Sequence, residues 1–574
     1  VACFAAGWPD SARDGRPGAE TVDNRRCLLQ CNFQGLSPAT KSNQDRGLMM
    51  KRWTGWLLGC VAFAGVAGVG HAQTAELDAV NQAVAALGGK DKVMGVKSLK
   101  VIGYGQLAYQ DGGGNVSSTP DAPQKWININ AHQRVIDLEH GRMNVQQRNV
   151  QDFVFAYARN MNGDVRVNNS LDGDIAFNTG ADGKAVRIPD AAVRARRLDM
   201  LNNPVSILRT ALDPATKLGK LRKQDNLQVL DLTTRQGDQL VLAINSETHL
   251  PAWLSWVAPH PNFGDVTYRT HYAGYQPLDG NGLVLPSGYN QISDFRNLVQ
   301  QKIYVDKYVV NGAIPDLAAP ADVRAAAVPA PGLPKVDAVP MGKGVWFLKV
   351  TPGGNSTLFE FDDHLVIYEA YGSEANALAV IRKARETVPG KPVTHVILSH
   401  HHIDHTGGLR AAVSEGLTVI TNRENVPYVK EVTSRPAKLF PDALGRNPKT
   451  VNVIPVDDHL KLKDKSMELD LYRVVNNSHF AAGLFAYVAR DRLVAQGDLV
   501  DEGWDIVWWG NSYPDSVKYW NLTVDKDLPV HGNIHTWAEV MGQLKQQTDN
   551  AVKLCSSVAA ARLTMQGCPV TNTL

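Results

Sequence analysis

Apolar and polar positions alternate along this chain with two periods, and the change of period divides it. Over 75–89 the apolar residues recur at helical spacing. Leu77, Val80, Val84 and Leu87 share one face, and Gly88-Gly89 ends the run. From about 97 to 310 the period shortens to that of strands. Residues 99–102, 227–232, 239–244 and 302–306 read as strands, set apart by turn signals such as Gln236-Gly237-Asp238 and Leu278-Asp279-Gly280-Asn281-Gly282. A helical piece interrupts them over 190–212. The expectation for 73–313 is a mostly antiparallel, β-rich α+β domain.

Residues 314–343 are rich in Ala and Pro, with prolines at 315, 320, 329, 331, 334 and 340. That density blocks helix and central strand alike, and predicts a semi-rigid linker. Beyond it strands alternate with helices. Residues 345–350, 358–361, 365–368, 393–398, 417–421 and 484–488 read as strands, and 373–387, 407–415 and 535–562 as helices. Such alternation predicts an α/β domain over 344–574. There is no internal repeat. In texture alone, the 73–313 region resembles the half-barrel domains of lipoprotein carriers.

The start of the chain departs from this pattern. Met50-Lys51-Arg52 opens a short basic region, an uncharged stretch follows over 53–70, and Gly70-His71-Ala72 places small residues at both cleavage-defining positions. This is the layout of a signal peptide over 50–72, cleaved after Ala72. An uncleaved anchor helix is the first alternative, disfavoured by five glycines in 18 residues. A lipoprotein anchored at Cys60, after Leu57-Leu58-Gly59, is the second. Residues 1–49 are polar, aperiodic and upstream of a plausible start methionine, and read as a spurious extension outside the fold. The mature protein is then expected to be periplasmic or secreted, without an integral membrane span. Of six cysteines only Cys555 and Cys568 lie beyond residue 60. An oxidising compartment permits them a disulfide, and no CxxC zinc site exists among them.

Composition narrows the function. Hydrophobic residues at 44% and charged residues at 20% describe a globular protein. Lys+Arg at 59 against Asp+Glu at 57 removes the basic footprint of a nucleic-acid binder. A small-molecule substrate is expected, and the oligomeric state stays open.

The chemistry sits where a buried strand over 393–399 runs into His400-His401-His402-Ile403-Asp404-His405-Thr406-Gly407-Gly408. Six residues there hold four imidazoles and one carboxylate, donors suited to zinc. Alternation turns His400 and His402 one way and lets Asp404 and His405 reach a second ion. A purification tag would lie at a terminus, and this cluster does not.

This motif resembles the signature of the metallo-β-lactamase superfamily, and the remaining family elements follow in order. Asn477-Ser478-His479 is similar to the third-histidine loop, and Leu493-Val494-Ala495-Gln496-Gly497-Asp498 to the strand ending in a metal-bridging aspartate. Leu528-Pro529-Val530-His531-Gly532 is similar to the Pro-Gly-His-Gly loop, with Val530 in place of the usual Gly. The resemblance covers about 344–545 and implies an αββα four-layer fold. It also implies two Zn2+ ions per chain, the first on His400, His402 and His479 and the second on Asp404, His405 and His531, with Asp498 between them. Asp404 would be the catalytic carboxylate, holding the second metal and orienting the nucleophile. Such a centre implies hydrolysis of an ester, lactone, amide or phosphoester by metal-bound hydroxide. His401 is expected outside the ligand set, His395 in the core, and His535 on the following helix or at the pocket rim.

Two departures bear on the reaction. The strand that usually ends in a supporting Asp ends here in Glu369, which would take that part. Ser-His-Phe-Ala-Ala-Gly replaces the Gly-His-Thr-x-Gly-x form of thioester hydrolases and acyl-homoserine lactonases, and speaks against both. Asp-His in the first motif together with Asp498 speaks against a β-lactamase, which stays an alternative. A mononuclear non-haem iron oxygenase of the persulfide-dioxygenase type is another; flavodiiron proteins carry Glu where His402 stands. A lipid-binding protein with a degenerate catalytic domain is a third class, against which the complete ligand set speaks. Trp504, Trp508 and Trp509 either wall the site or pack against the N-terminal domain or the long helix.

Overall fold

The computed structural model describes residues 70–152, 164–278, 281–330 and 332–556. Residues 50–69 of the leader segment, Cys568 and with it the Cys555–Cys568 pairing lie outside the described residues. No helix among the described residues is long and apolar enough to cross a membrane.

Strand patterning over the first half resolves into one antiparallel sheet of fourteen strands among the described residues. Its chain path runs outward from Ser98–Ala108 to Ala185–Arg187 on one side, and from Val299–Val310 back to Leu227–Thr233 on the other. These two halves meet where Ser98–Ala108 pairs with Val299–Val310, Leu99 opposite Val310 and Tyr104 opposite Tyr304. The first and last long strands of the region are therefore neighbours, which makes it one domain.

Helices Gly70–Ala86 and Pro204–Leu212 bury their apolar stripes against this sheet. Val80, Val84 and Leu87 are buried as expected, whereas Leu77 is 40% exposed. The buried face is completed instead by Ala79 and Ala83, small enough to bring the helix close, which leaves Leu77 on the flank. The single helix expected over 190–212 is two, Ala191–Leu201 and Pro204–Leu212. Pro204 cannot continue a helix from before it but fits the first turn of a new one, and the Asn203 side chain caps that turn by accepting the Ser206 N–H.

The Ala/Pro-rich stretch is a linker only in part. Lys335–Gly342 forms a strand at the edge of the next sheet, paired with Val345–Thr351. An edge strand tolerates Pro340 because only one of its sides needs donors. The α/β half thus begins at this strand and not at 344.

That half is built of two sheets. The first has seven strands, from Lys335–Gly342 through Leu365–Tyr368, Val393–Ile397 and Thr418–Asn422 to Val453–Val456, the last four parallel. The second has six, from His459–Lys463 to His535–Thr536. Phe347, Phe359, Val366, Tyr368 and Ile397 of the first meet Leu469, Leu471, Ala486, Val494's neighbour Ala495 and Leu528 of the second in one buried layer. Glu374–Thr387 and Leu409–Ser414 cover the outer face of the first sheet. Ser512–Tyr519 and Trp537–Cys555 cover that of the second. The result is the αββα four-layer fold, preceded by an antiparallel β-rich domain. The last helix starts later than expected, because His535 and Thr536 pair with Lys526 and Asp527 as a strand. Thr536 and Glu539 then cap the helix reciprocally.

Candidate metal centre

Strands of both sheets end at one rim, and the donors stand in the loops that leave them. Val393–Ile397 delivers His400, His402, Asp404 and His405; Leu493–Gln496 delivers Asp498; Lys526–Pro529 delivers His531. His479 precedes Leu484–Val488, and its loop is shaped by the Asn477 side chain, which accepts the His479 and Phe480 N–H groups. Gly497 is required by proximity: a Cβ there would lie 2.5 Å from Ser399 Oγ and 3.4 Å from His405.

The structure brings together all seven side chains picked out in the sequence, in two groups. His400, His402, His479 and Asp498 form one; Asp404, His405, Asp498 and His531 form the other. Within each, one donor atom per residue lies within 4.8 Å of the others. Asp498 belongs to both. Its Oδ2 is 2.9 Å from His479 Nε2 and 3.6 Å from His400 Nε2, while its Oδ1 is 3.1 Å from the Nε2 atoms of His405 and His531. Asp404 Oδ2 lies 3.7 Å from His405 Nε2 and 3.6 Å from His531 Nε2.

Hydrogen bonds on the far side of each ring set which nitrogen faces inward. Glu369, fully buried and with φ 69°, accepts from the Ser399 N–H at 2.8 Å, from the Ser399 hydroxyl at 2.9 Å, and from His405 Nδ1–H. The Ser399 oxygen in turn accepts from His400 Nδ1–H at 3.0 Å. Both imidazoles therefore turn Nε2 inward: the buried His400 Nε2 has no hydrogen-bond partner among the described residues, while His405 Nε2 lies 3.1 Å from Asp498 Oδ1. A basic lone pair left unsatisfied in the interior is costly unless a cation takes it. This is the observation that fits the site to metal.

Electrostatics agree. Burial, reinforced by neighbouring imidazoles, holds His400 and His402 well below the usual histidine range, and burial lowers His479 despite Asp498. Burial also opposes charge on His405 and His531. There the carboxylates win: Asp498, Asp404 and Glu369 raise His405 well above its ordinary value, and Asp498 and Asp404 push His531 up to about 10. Asp498 is held well below the carboxylate range against its burial, chiefly by His405 and His531. Protons thus stand where a cation would, and a metal would displace them.

Glu369 takes the supporting part expected of it. His401 is outside the donor groups but buried, with Nε2–H donated to the Asn115 carbonyl. His395 is only half-buried, its Nδ1 2.8 Å from Thr394 Oγ1, a correction to its expected place in the core. His535 lies on the short strand before the last helix, its Nε2 2.9 Å from Glu502 Oε2. The tryptophan loop does both things expected of it. Trp509 stacks on His479 at 4.2 Å and donates its indole N–H to the Asp498 carbonyl, with Trp504 edge-on to the same histidine. Trp504, Trp508 and Trp509 also pack with Tyr109 of the N-terminal domain, and Gln547 of the long helix holds the Trp504 carbonyl.

Several groups carry no sequence signature and were not expected. Asn355 donates to the carbonyls of Pro529 and Gly532, bracing the His531 loop. Tyr371 sets its ring edge-on to His405 and His531. From the N-terminal domain, Asn262 donates to Ile403 O and Thr406 Oγ1, both at 2.7 Å. Lys125, brought down to about 7 by burial, lowers His401, His402 and His479 by its charge.

Comparison with known proteins bears on the same half of the chain. A family model described as the metallo-beta-lactamase superfamily matches residues 351–503. Among solved structures, the chain is similar to a metallo-beta-lactamase from Pontibacter korlensis, at 15% identity over 38% of this chain and 100% of that one, TM-score 0.30. It is similar to a metallo-beta-lactamase from Hirschia baltica at 15% identity over 37% and 97%, TM-score 0.27. A flavodiiron core, Flv1 from Synechocystis, gives 14% identity over 38% and 62%, TM-score 0.30. Curated protein sequences give no match. The family match thus lies within the αββα layers and spans the motif loops from His400 to Asp498, so residues 351–503 carry the metallo-β-lactamase-superfamily match of this chain.

Proposed function

We propose that this chain is an exported, binuclear zinc-dependent hydrolase acting on a small-molecule ester, lactone, amide or phosphoester. The observation that carries the reading is the pair of four-donor groups sharing Asp498. His400, His402 and His479 would hold one ion, Asp404, His405 and His531 the other, and Asp498 both. Two such ions supply Lewis acidity and lower the pKa of water to about 7.

The chain's own residues do the rest. Glu369 and Ser399 fix the tautomers of His400 and His405, so neither ring turns away from the ion. Asp404, at 30% side-chain exposure the most exposed of the donors, would hold the second ion and orient the attacking water. Trp504 and Trp509 stand against His479, and an apolar, flat-sided surface beside the donors would favour a substrate with a flat or apolar part. Export rests on the segment 50–72.

Elemental analysis of the purified full chain tests the metal, and a screen over esters, lactones, β-lactams and phosphodiesters tests the reaction. About two zinc ions per chain with turnover in one substrate class is the expected result. Stoichiometric iron without zinc would overturn the hydrolase reading in favour of an oxygenase.

A further inference from the structure

A segment of the N-terminal domain enters the metal loops of the other domain. Strand Ser98–Ala108 leads into Tyr109 to Pro120, and this stretch touches both loops. The Val116 carbonyl accepts the Ala481 N–H at 2.7 Å, two residues beyond His479. The Asn115 carbonyl accepts two imidazole N–H groups at 3.0 Å, from His401 Nε2 and from His402 Nε2. A carbonyl oxygen has two lone pairs, and both are used.

The second of these bonds has a chemical consequence. With Nε2 carrying the proton and donating it to Asn115, the lone pair of the neutral His402 ring is on Nδ1. Rotation or the other tautomer would forfeit a buried hydrogen bond. His402 therefore gets from Asn115 what His400 and His405 get from Ser399 and Glu369. Those two supports belong to the α/β half, whereas this one comes from a loop of the N-terminal sheet domain, 287 residues earlier in the chain.

The segment is held stiffly enough to act so. The Asn115 side chain accepts the Lys125 N–H at 3.2 Å, and the Gly113 N–H reaches the Gln110 carbonyl at 2.7 Å. Gly114 lies against the Tyr109 ring, where an added Cβ would stand 2.5 Å from a ring carbon. We propose that the Asn115 backbone carbonyl is a positioning group of the metal centre, fixing the tautomer and angle of His402, so that the N-terminal sheet domain is a working part of that centre. The proposal rests on the metal reading above.

A backbone carbonyl is tested by moving it. Gly114→Val forces the segment away from Tyr109, and Asn115→Ala removes the brace from Lys125. Zinc affinity of the full chain, measured by competition with a chromophoric chelator, is expected to fall 10- to 100-fold in Gly114→Val, the range for lost ligand support. A smaller loss in the same direction is expected in Asn115→Ala, which decides the matter should Gly114→Val not fold. The control is the His402→Ala background. If the segment acts through His402, Gly114→Val costs little further affinity there. An equal loss in both backgrounds would overturn the proposal by showing general damage, and so would wild-type affinity in both segment variants. A wild-type chain that binds no divalent ion would overturn the metal reading, and this proposal with it.

Discussion

Replacing Glu369 by Gln keeps shape and volume, and changes only what the two terminal atoms accept. Three donors converge on the Glu369 oxygens: Ser399 N–H, Ser399 Oγ–H and His405 Nδ1–H. A glutamine has one acceptor oxygen, so its NH2 must face a donor. Turned toward Ser399 N–H, the NH2 orphans a buried backbone group, at about 1–3 kcal/mol. Turned toward His405, it forces the proton from Nδ1 to Nε2, and the ring then shows a filled nitrogen to the ion. The Ser399 hydroxyl, once free to turn, also stops fixing His400. The expected result is a metal affinity reduced 10- to 100-fold, about 1.4–2.7 kcal/mol. Its stability loss in the metal-free protein is about 1–3 kcal/mol. Chelator competition and urea unfolding with and without zinc measure the two separately. A Glu369→Gln protein with wild-type zinc affinity would refute the argument, since it would show that His400 and His405 need no fixed tautomer.

Asp404→Ala removes the most exposed donor while leaving the strand cores untouched. Turnover is expected to vanish and the metal content to fall from two ions toward one, with the unfolding midpoint of the chelated protein little changed. Wild-type rates at unchanged metal content would contradict the assignment. Away from the site, Asp527 is fully buried, accepts from Tyr513 Oη at 2.6 Å, and is pushed up to about 6 by that burial. Between about 4 and 6 the folded state keeps a proton that the unfolded chain has released, so this group lowers stability as pH rises through that window. The effect levels off above about 6 at up to ~3 kcal/mol. Asp527→Asn is expected to flatten that slope and to gain stability at pH 7; parallel pH–stability curves for the two proteins would refute it.

The donor set was legible because each member ends or follows a strongly patterned strand, and because imidazole and carboxylate spacing carries its chemistry openly. Glu369 was legible for the same reason. The supports drawn from elsewhere were not. Asn115 acts through its carbonyl, which every residue has, and the only trace it leaves is the run Gly112-Gly113-Gly114 before it, a sign of close backbone approach. Asn355 and Asn262 likewise look like any loop asparagine. In the fold, prolines concealed the Lys335–Gly342 edge strand because their density says what is forbidden in a sheet centre and nothing of its edge. Leu77 misled because periodicity counts large apolar residues, and the helix is seated by Ala79 and Ala83.

The bond from His402 to Asn115 spans 287 residues, and that length has a meaning for how the centre comes into being. The sheet that carries Asn115 is complete once Val299–Val310 has paired with Ser98–Ala108, before the histidine loop has been made. The contact between this carbonyl and the histidine loop therefore carries the entropic cost of a long closure, which the core shared by the two halves, with Phe263, Val266 and Phe295 in it, helps to offset. His531 joins later still in the chain. A tightly held ion would then report that the two halves of the chain have been joined correctly, so that retention of the metal would serve as a check on assembly.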